Sequence, residues 1–136
     1  VIIALRLLFL VVLGTMLAVT SWASALCPLF AVPHPVATHP WFIATLADAY
    51  WGFVTFYVWV AFKETAWSAR AAWLVAILLL GNIAMSAYCL AELLLAKRDT
   101  PLAEILTVRR NGPGWLGLAL GTLGLAVVIA ALQRPY

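Results

Sequence analysis

The chain has 136 residues, 66% apolar and 10% charged, with a mean hydropathy of +1.07. That composition excludes a soluble domain and places the chain in a bilayer. The net charge of +3 is small, and no phosphate loop, zinc-ligand spacing, nucleophile elbow or RNA-binding signature occurs, so neither nucleic-acid binding nor an enzyme with a catalytic residue set is expected.

The expected fold is all-α, an integral membrane protein with four transmembrane helices, because four stretches reach or approach the roughly 20 apolar residues a span requires. The first, Val1 to Leu26, carries Arg6 and ends near Ala23-Ser24-Ala25, which imitates a signal peptide. Its apolar run exceeds a signal core, and a retained span is expected. The loop at 27–40 contains "VPHPVATHPW", in which His34 and His39 stand five apart and so off one helical face. Loop residues are expected there, and no metal.

Trp41 to Phe62 forms the second expected span, a short charged loop at 63–70 follows, and Ala71 to Ala96 forms the third. Cys27 lies at a span end and Cys89 inside the third span, so no disulfide is expected between them. The loop at 97–114 has structure of its own. Thr100 suits a cap, Pro101 a first helical position, and Leu102, Ile105 and Leu106 share one face. Arg109-Arg110 then precede the stop signal Asn111-Gly112-Pro113. This short helix is expected at the membrane interface, with Arg109 and Arg110 on lipid headgroup phosphates. The fourth span, Trp115 to Leu132, follows Gly114 and carries Gly117, Gly121 and Gly124, a ridge in helical phase that lets another backbone approach closely. Two units are expected, a three-span core with the interfacial helix (1–110) and the fourth helix (111–136).

Trp41, Trp67, Trp73 and Trp115 fall at expected membrane boundaries. Trp22, Trp51 and Trp59 lie deeper, and packing or contact with a pigment or quinone would each explain them. Four spans put Arg6, Lys63, Arg70 and Arg134 on one side and Lys97, Arg98, Arg109 and Arg110 on the other, a tie. The first loop has no Lys or Arg and the second has two, which favours cytoplasmic termini in a bacterial inner or intracytoplasmic membrane.

Asp48 interrupts the second span about 10 Å below Trp41 at the helical rise. It shares a stripe with Thr45, Gly52 and Thr55, and the third span repeats that spacing with Asn82, Met85, Cys89 and Glu92. If the second and third spans are antiparallel neighbours, Glu92 lies in the same half of the membrane as Asp48, together with Thr20, Ser21 and Ser24. One intramembrane polar cluster (Thr20, Ser24, Thr45, Asp48, Asn82, Glu92) is therefore expected, as interhelical hydrogen bonding or as a proton or cation site.

The segments "WFIATLADAYWGFVTFYVWVAFKE" (41–64) and "WLVAILLLGNIAMSAYCLAELL" (73–94), with "VTSWAS", resemble the uncharacterised family of small membrane proteins labelled domain of unknown function 1475, found in bacteria and plants. The likeness runs over roughly residues 4 to 110. It implies a three-span core with patterned positions at Asp48, Tyr50, Gly52, Lys63, Glu64, Gly81 and Asn82, and no established activity. The expectation is a non-catalytic accessory subunit of a larger respiratory or photosynthetic membrane complex, with lipids and other integral membrane subunits as partners. The alternative is a small transporter or proton- or cation-conducting protein using Asp48 and Glu92.

Overall fold

The computed structural model describes residues 1–97 and 99–133; Arg98 and Arg134, both counted in the charge tally, lie outside the described residues. Its helices, in chain order, are α1 (Ile2–Leu26), α2 (His34–Ala37), α3 (Pro40–Lys63), α4 (Trp67–Leu80), α5 (Asn82–Leu95), α6 (Leu102–Thr107) and α7 (Gly114–Leu132). Three of them, α1, α3 and α7, are long and apolar enough to cross a membrane.

The expected third span is not one helix. At Gly81 the backbone takes φ +52° and ψ −124°, a conformation open to glycine and strained for residues with a Cβ. The chain reverses there. The ring centroids of Trp73 on α4 and Tyr88 on α5 lie 4.8 Å apart, and Lys63, just before α4, meets Glu92, near the end of α5, at 2.7 Å. Each arm of this hairpin has 14 residues, about 21 Å at the helical rise, against a hydrocarbon thickness of about 30 Å. Neither arm crosses a bilayer alone.

The longer helices surround the hairpin. Antiparallel to α4, α3 has Phe53 against the tip at Gly81 and Lys63 at the open end. α7 runs parallel to α4, with Gly114 beside Ala69, Gly117 beside Trp73 and Gly124 beside Leu79. α1 packs along α5, and its Arg6 donates to the carbonyls of Leu93 (2.6 Å) and Ala96 (3.1 Å), capping the C-terminal end of α5. The starts of α1 and α7, the 63–66 turn and residues 99–113 therefore gather at one end of the bundle. The 27–39 segment and the end of α7 lie at the other, where Ser24, Pro28, Val127 and Ala130 line a small cavity. Four spans would put loops 27–40 and 97–114 on the same side. The reversal at Gly81 puts them at opposite ends of the bundle.

Val60, Trp73, Ala76, Ile77, Ala84 and Tyr88 form the main core between α3, α4 and α5. Trp73 is not a boundary residue: α4 begins at Trp67, so Trp73 is well inside it and fully buried. The glycine ridge is occupied within the chain. Gly117, Gly121 and Gly124 are buried against α4, and a Cβ at Gly117 would stand 2.9 Å from the Trp73 ring. A leucine at Gly117 should therefore destabilise the bundle by about 1–3 kcal/mol, as overpacking does. Thermal unfolding in detergent should show it, whereas leucine at the exposed Thr122 should leave the transition in place.

Candidate functional site

The open end of the hairpin concentrates the charged chemistry of the protein. Lys63 and Glu64 close α3, which ends at Lys63, and both side chains are buried, each 1% exposed. Glu92, also 1% exposed, faces them from α5. Its Oε2 accepts from Lys63 Nζ at 2.7 Å and from Arg110 Nη2 at 2.9 Å. Arg110 adds a donation from Nε to Oε1 at 3.4 Å and one from Nη2 to the Glu92 carbonyl at 3.2 Å. Two cations thus flank one buried carboxylate, a geometry in which attraction offsets desolvation only because the remaining donors also find acceptors.

They do find them. Lys63 Nζ also donates to the Ile105 carbonyl, the Arg110 backbone N–H to the Lys63 carbonyl at 3.1 Å, and Trp59 Nε1 to the Leu106 carbonyl at 3.0 Å. Thr65 donates to Asn111 Oδ1. These bonds strap the 102–111 segment over the mouth of the hairpin, with Ile105 of α6 buried against Ile2 and Leu93. On the other side of the cluster, Glu64 accepts from the Tyr88 hydroxyl and from the Gly112 N–H, both at 3.1 Å, while its carbonyl accepts from Arg70 Nε at 2.9 Å. A Cβ at Gly112 would collide with the Glu64 carboxyl. Glycine lets the strap pass that close.

Glu64 lies just beyond α3, and its carboxyl is held above its ordinary pKa. Burial is the main cause and Glu92 adds to it, while the Tyr88 hydroxyl, the Gly112 N–H and Lys63 pull the other way. A raised acid binds its proton more tightly in the folded state. Its contribution to stability is present below the unfolded carboxyl pKa, about 4.3, and is lost as pH rises through the higher folded value. Subtracting the melting profile of Glu64→Gln from that of the native protein should leave a difference that falls with rising pH from about 4.5 upward. A flat difference would show that Glu64 does not titrate in that window.

The six polar residues expected in one cluster are not brought together. Thr20, Ser24, Thr45, Asp48 and Asn82 are exposed and Glu92 is buried. Thr20 donates to the Met16 carbonyl and Thr45 to the Trp41 carbonyl, each in its own helix. The separation follows from Gly81: a continuous third span would carry Glu92 up to Asp48, but the reversal returns it to Lys63, which lies fifteen residues, about 22 Å, down α3 from Asp48. Arg110 turns inward to Glu92 instead of reaching outward to headgroups, while Arg109 lies over the Phe62 ring, 5.5 Å from its centroid. His39 caps α3, its Nδ1 accepting from the Trp41 N–H at 3.3 Å.

Between α1 and α3 lies a groove of about 350 Å³, with an apolar lining that includes Leu5, Phe9, Phe56, Trp59 and Leu102. Trp59 packs edge-on to Tyr88 at 5.5 Å, whereas Trp22 and Trp51 are exposed.

Lys63, Glu64, Gly81 and Asn82 were reachable through the family pattern. The contacts that Tyr88, Arg70 and Gly112 make with Glu64 carried no signal in the sequence, because they depend on the hairpin. No curated protein and no solved structure matches the chain. A family model described as a protein of unknown function (DUF1475) matches residues 1–112, which takes in the hairpin, the strap and the charged cluster. The chain belongs to that family.

Proposed function

We propose that the protein is a non-catalytic structural subunit of a larger membrane assembly, a compact scaffold that associates sideways with other membrane helices. The observation that carries this reading is the contrast between its two intramembrane acids. Glu92 is enclosed and paired inside the protein, with its partners used in holding the hairpin shut. Asp48 is exposed on α3 and makes no ion pair or side-chain hydrogen bond among the described residues. An ionisable side chain facing lipid costs on the order of 3 kcal/mol, so its outward position calls for a neighbour. A respiratory or photosynthetic assembly remains the proposed setting, with lipid acyl chains filling the α1–α3 groove. The proton- or cation-path alternative needs Asp48 and Glu92 on one route, and their separation removes its support.

The charged end is proposed to face the cytoplasm. The described Lys and Arg residues (Arg6, Lys63, Arg70, Lys97, Arg109 and Arg110) all belong to it, and the 27–39 segment has none, so the charge count is one-sided among the described residues. There α6 would lie at the interface. In a background without the native cysteines, a cysteine at Thr38 should react with an impermeant thiol reagent added to intact cells, and one at Thr107 only after lysis. The reverse pattern would invert the orientation.

The functional reading is tested on native gels of gently solubilised membranes. The wild-type chain should migrate in a larger species that Asp48→Leu disperses and Asp48→Asn retains, since an amide still hydrogen-bonds. A proton or cation flux in vesicles reconstituted with the pure protein, abolished by Asp48→Asn, would replace this reading with the conducting one.

A further inference from the structure

Two spaces border α6. Leu102 and Leu106 look into the apolar groove between α1 and α3, where Glu92 is also found. A second cavity, of about 280 Å³, has Lys63, Lys97, Thr100, Glu104 and Arg110 in its lining. The share of liquid volume per water molecule is about 30 Å³, so this cavity has room for more than one or two bridging waters.

The donors around it are not all used. Arg110 gives Nε and Nη2 to Glu92. Its Nη1, on a side chain 34% exposed, makes no bond among the described residues, and neither does the Lys97 ammonium or the Thr100 hydroxyl. The Thr100 N–H donates to the Lys97 carbonyl at 3.1 Å, a turn that holds these two residues together. Lys63 is fixed behind them by Glu92.

Charge narrows the ligand. Lys63, Lys97 and Arg110 meet Glu104 in the cavity and Glu92 behind it, which leaves one net positive charge among the described residues. A phosphodiester matches that, with a single negative charge and oxygens for a guanidinium edge and an ammonium. A phosphate monoester carries about −1.5 to −2 at pH 7, and Glu104 opposes the excess. The rim identifies what carries the phosphate. Leu95 and Val108 line the same cavity and are exposed, as is Leu94 beside them. A soluble phosphate covers none of this surface, whereas a phospholipid lays acyl chain on it.

We infer that Lys97, Thr100 and Arg110 form a binding site for the phosphodiester of a singly anionic phospholipid, whose acyl chains cover Leu95 and Val108. This rests on the reading of α6 as a helix at the membrane interface, and it names the lipid class held there. Arg109 is not part of the site, since its guanidinium lies over Phe62.

The test uses the full chain, freed of lipid in detergent and titrated with phosphatidylglycerol or phosphatidylcholine, with bound lipid counted by native mass spectrometry. Phosphatidylglycerol should bind about fivefold more tightly than phosphatidylcholine, and Lys97→Gln should remove about fivefold of its affinity while Lys97→Arg keeps it. The lipid-free melting temperature should be the same in all three proteins, because Lys97 is exposed and unpaired among the described residues. Glu104→Gln should improve the binding of phosphatidic acid, a monoester, relative to phosphatidylglycerol. Equal binding of phosphatidylglycerol and phosphatidylcholine, or no effect of Lys97→Gln, would overturn the site. Displacement of phosphatidylglycerol by millimolar inorganic phosphate would overturn the lipid and leave a site for a free oxyanion. A fluorophore on Thr107→Cys, in a background without the native cysteines, separates the two readings in vesicles containing brominated phospholipid. Quenching together with an inert Lys97→Gln means that the site falls and the interfacial α6 stands; without quenching, both fall.

Discussion

Glu92→Leu should lower the apparent melting temperature by about 10 °C or more, because it leaves Lys63 buried and uncompensated and Arg110 without its carboxylate. Removing one partner of a buried pair costs about 3–5 kcal/mol, which for a domain of this size corresponds to a shift of that order. Cys89 is buried one turn before Glu92, so its reaction with a thiol-reactive dye reports the opening of this region directly. The loss should respond little to salt, since screening acts weakly on charges removed from solvent. Replacing both members of the fully buried pair, as in Lys63→Met with Glu92→Leu, should recover the part of the loss that comes from Lys63, while Arg110, whose side chain is 34% exposed, stays without its carboxylate. If Glu92→Leu melts within a degree or two of the native protein, the ion cluster is not what closes the hairpin.

The long helices were legible because a run of apolar residues with tryptophans near its ends is sufficient to define a span. The glycine phase of α7 was legible for a similar reason: small residues repeating on one face require a close neighbour, and α4 is that neighbour. The break in the third apolar stretch was not legible from hydropathy, since a mostly apolar stretch of 26 residues satisfies a continuous span whether or not the chain turns back. The available signal was Gly81-Asn82 in its middle, a turn-favouring pair that an uninterrupted helix has no need of. Missing it displaced Glu92 from one end of the bundle to the other, and with it the assumed polar cluster and the side assigned to the 97–114 loop. Lys63 and Glu64 read as part of a short charged loop for the same reason. Their burial depends on a strap whose closing residues, Arg110 and Gly112, lie more than forty positions further along the chain.

Gly81→Ala should have an effect as large as the loss of Glu92, and by a different route. A side chain at φ +52° and ψ −124° is strained by about 1–3 kcal/mol. Its Cβ would also lie 2.6 Å from Phe53 Cζ and 3.1 Å from Cε2, inside a packed contact. The chain has one obvious relaxation: residue 81 adopts helical angles, and Trp67 to Leu95 becomes a single helix about 44 Å long. That helix would cross the membrane. It would carry Glu92 away from Lys63 and place the 97–113 segment beside the 27–39 loop, the four-span topology that hydropathy alone favours. Phe53→Ala combined with Gly81→Ala separates the two causes, because it removes the steric clash and leaves the backbone strain. Partial recovery of the melting temperature is expected from it. Paired labelling at Thr38→Cys and Thr107→Cys then reports the topology: opposite sides when the hairpin is kept, the same side when it straightens. A Gly81→Ala protein with native melting and native labelling would mean that the positive φ is not needed for the reversal.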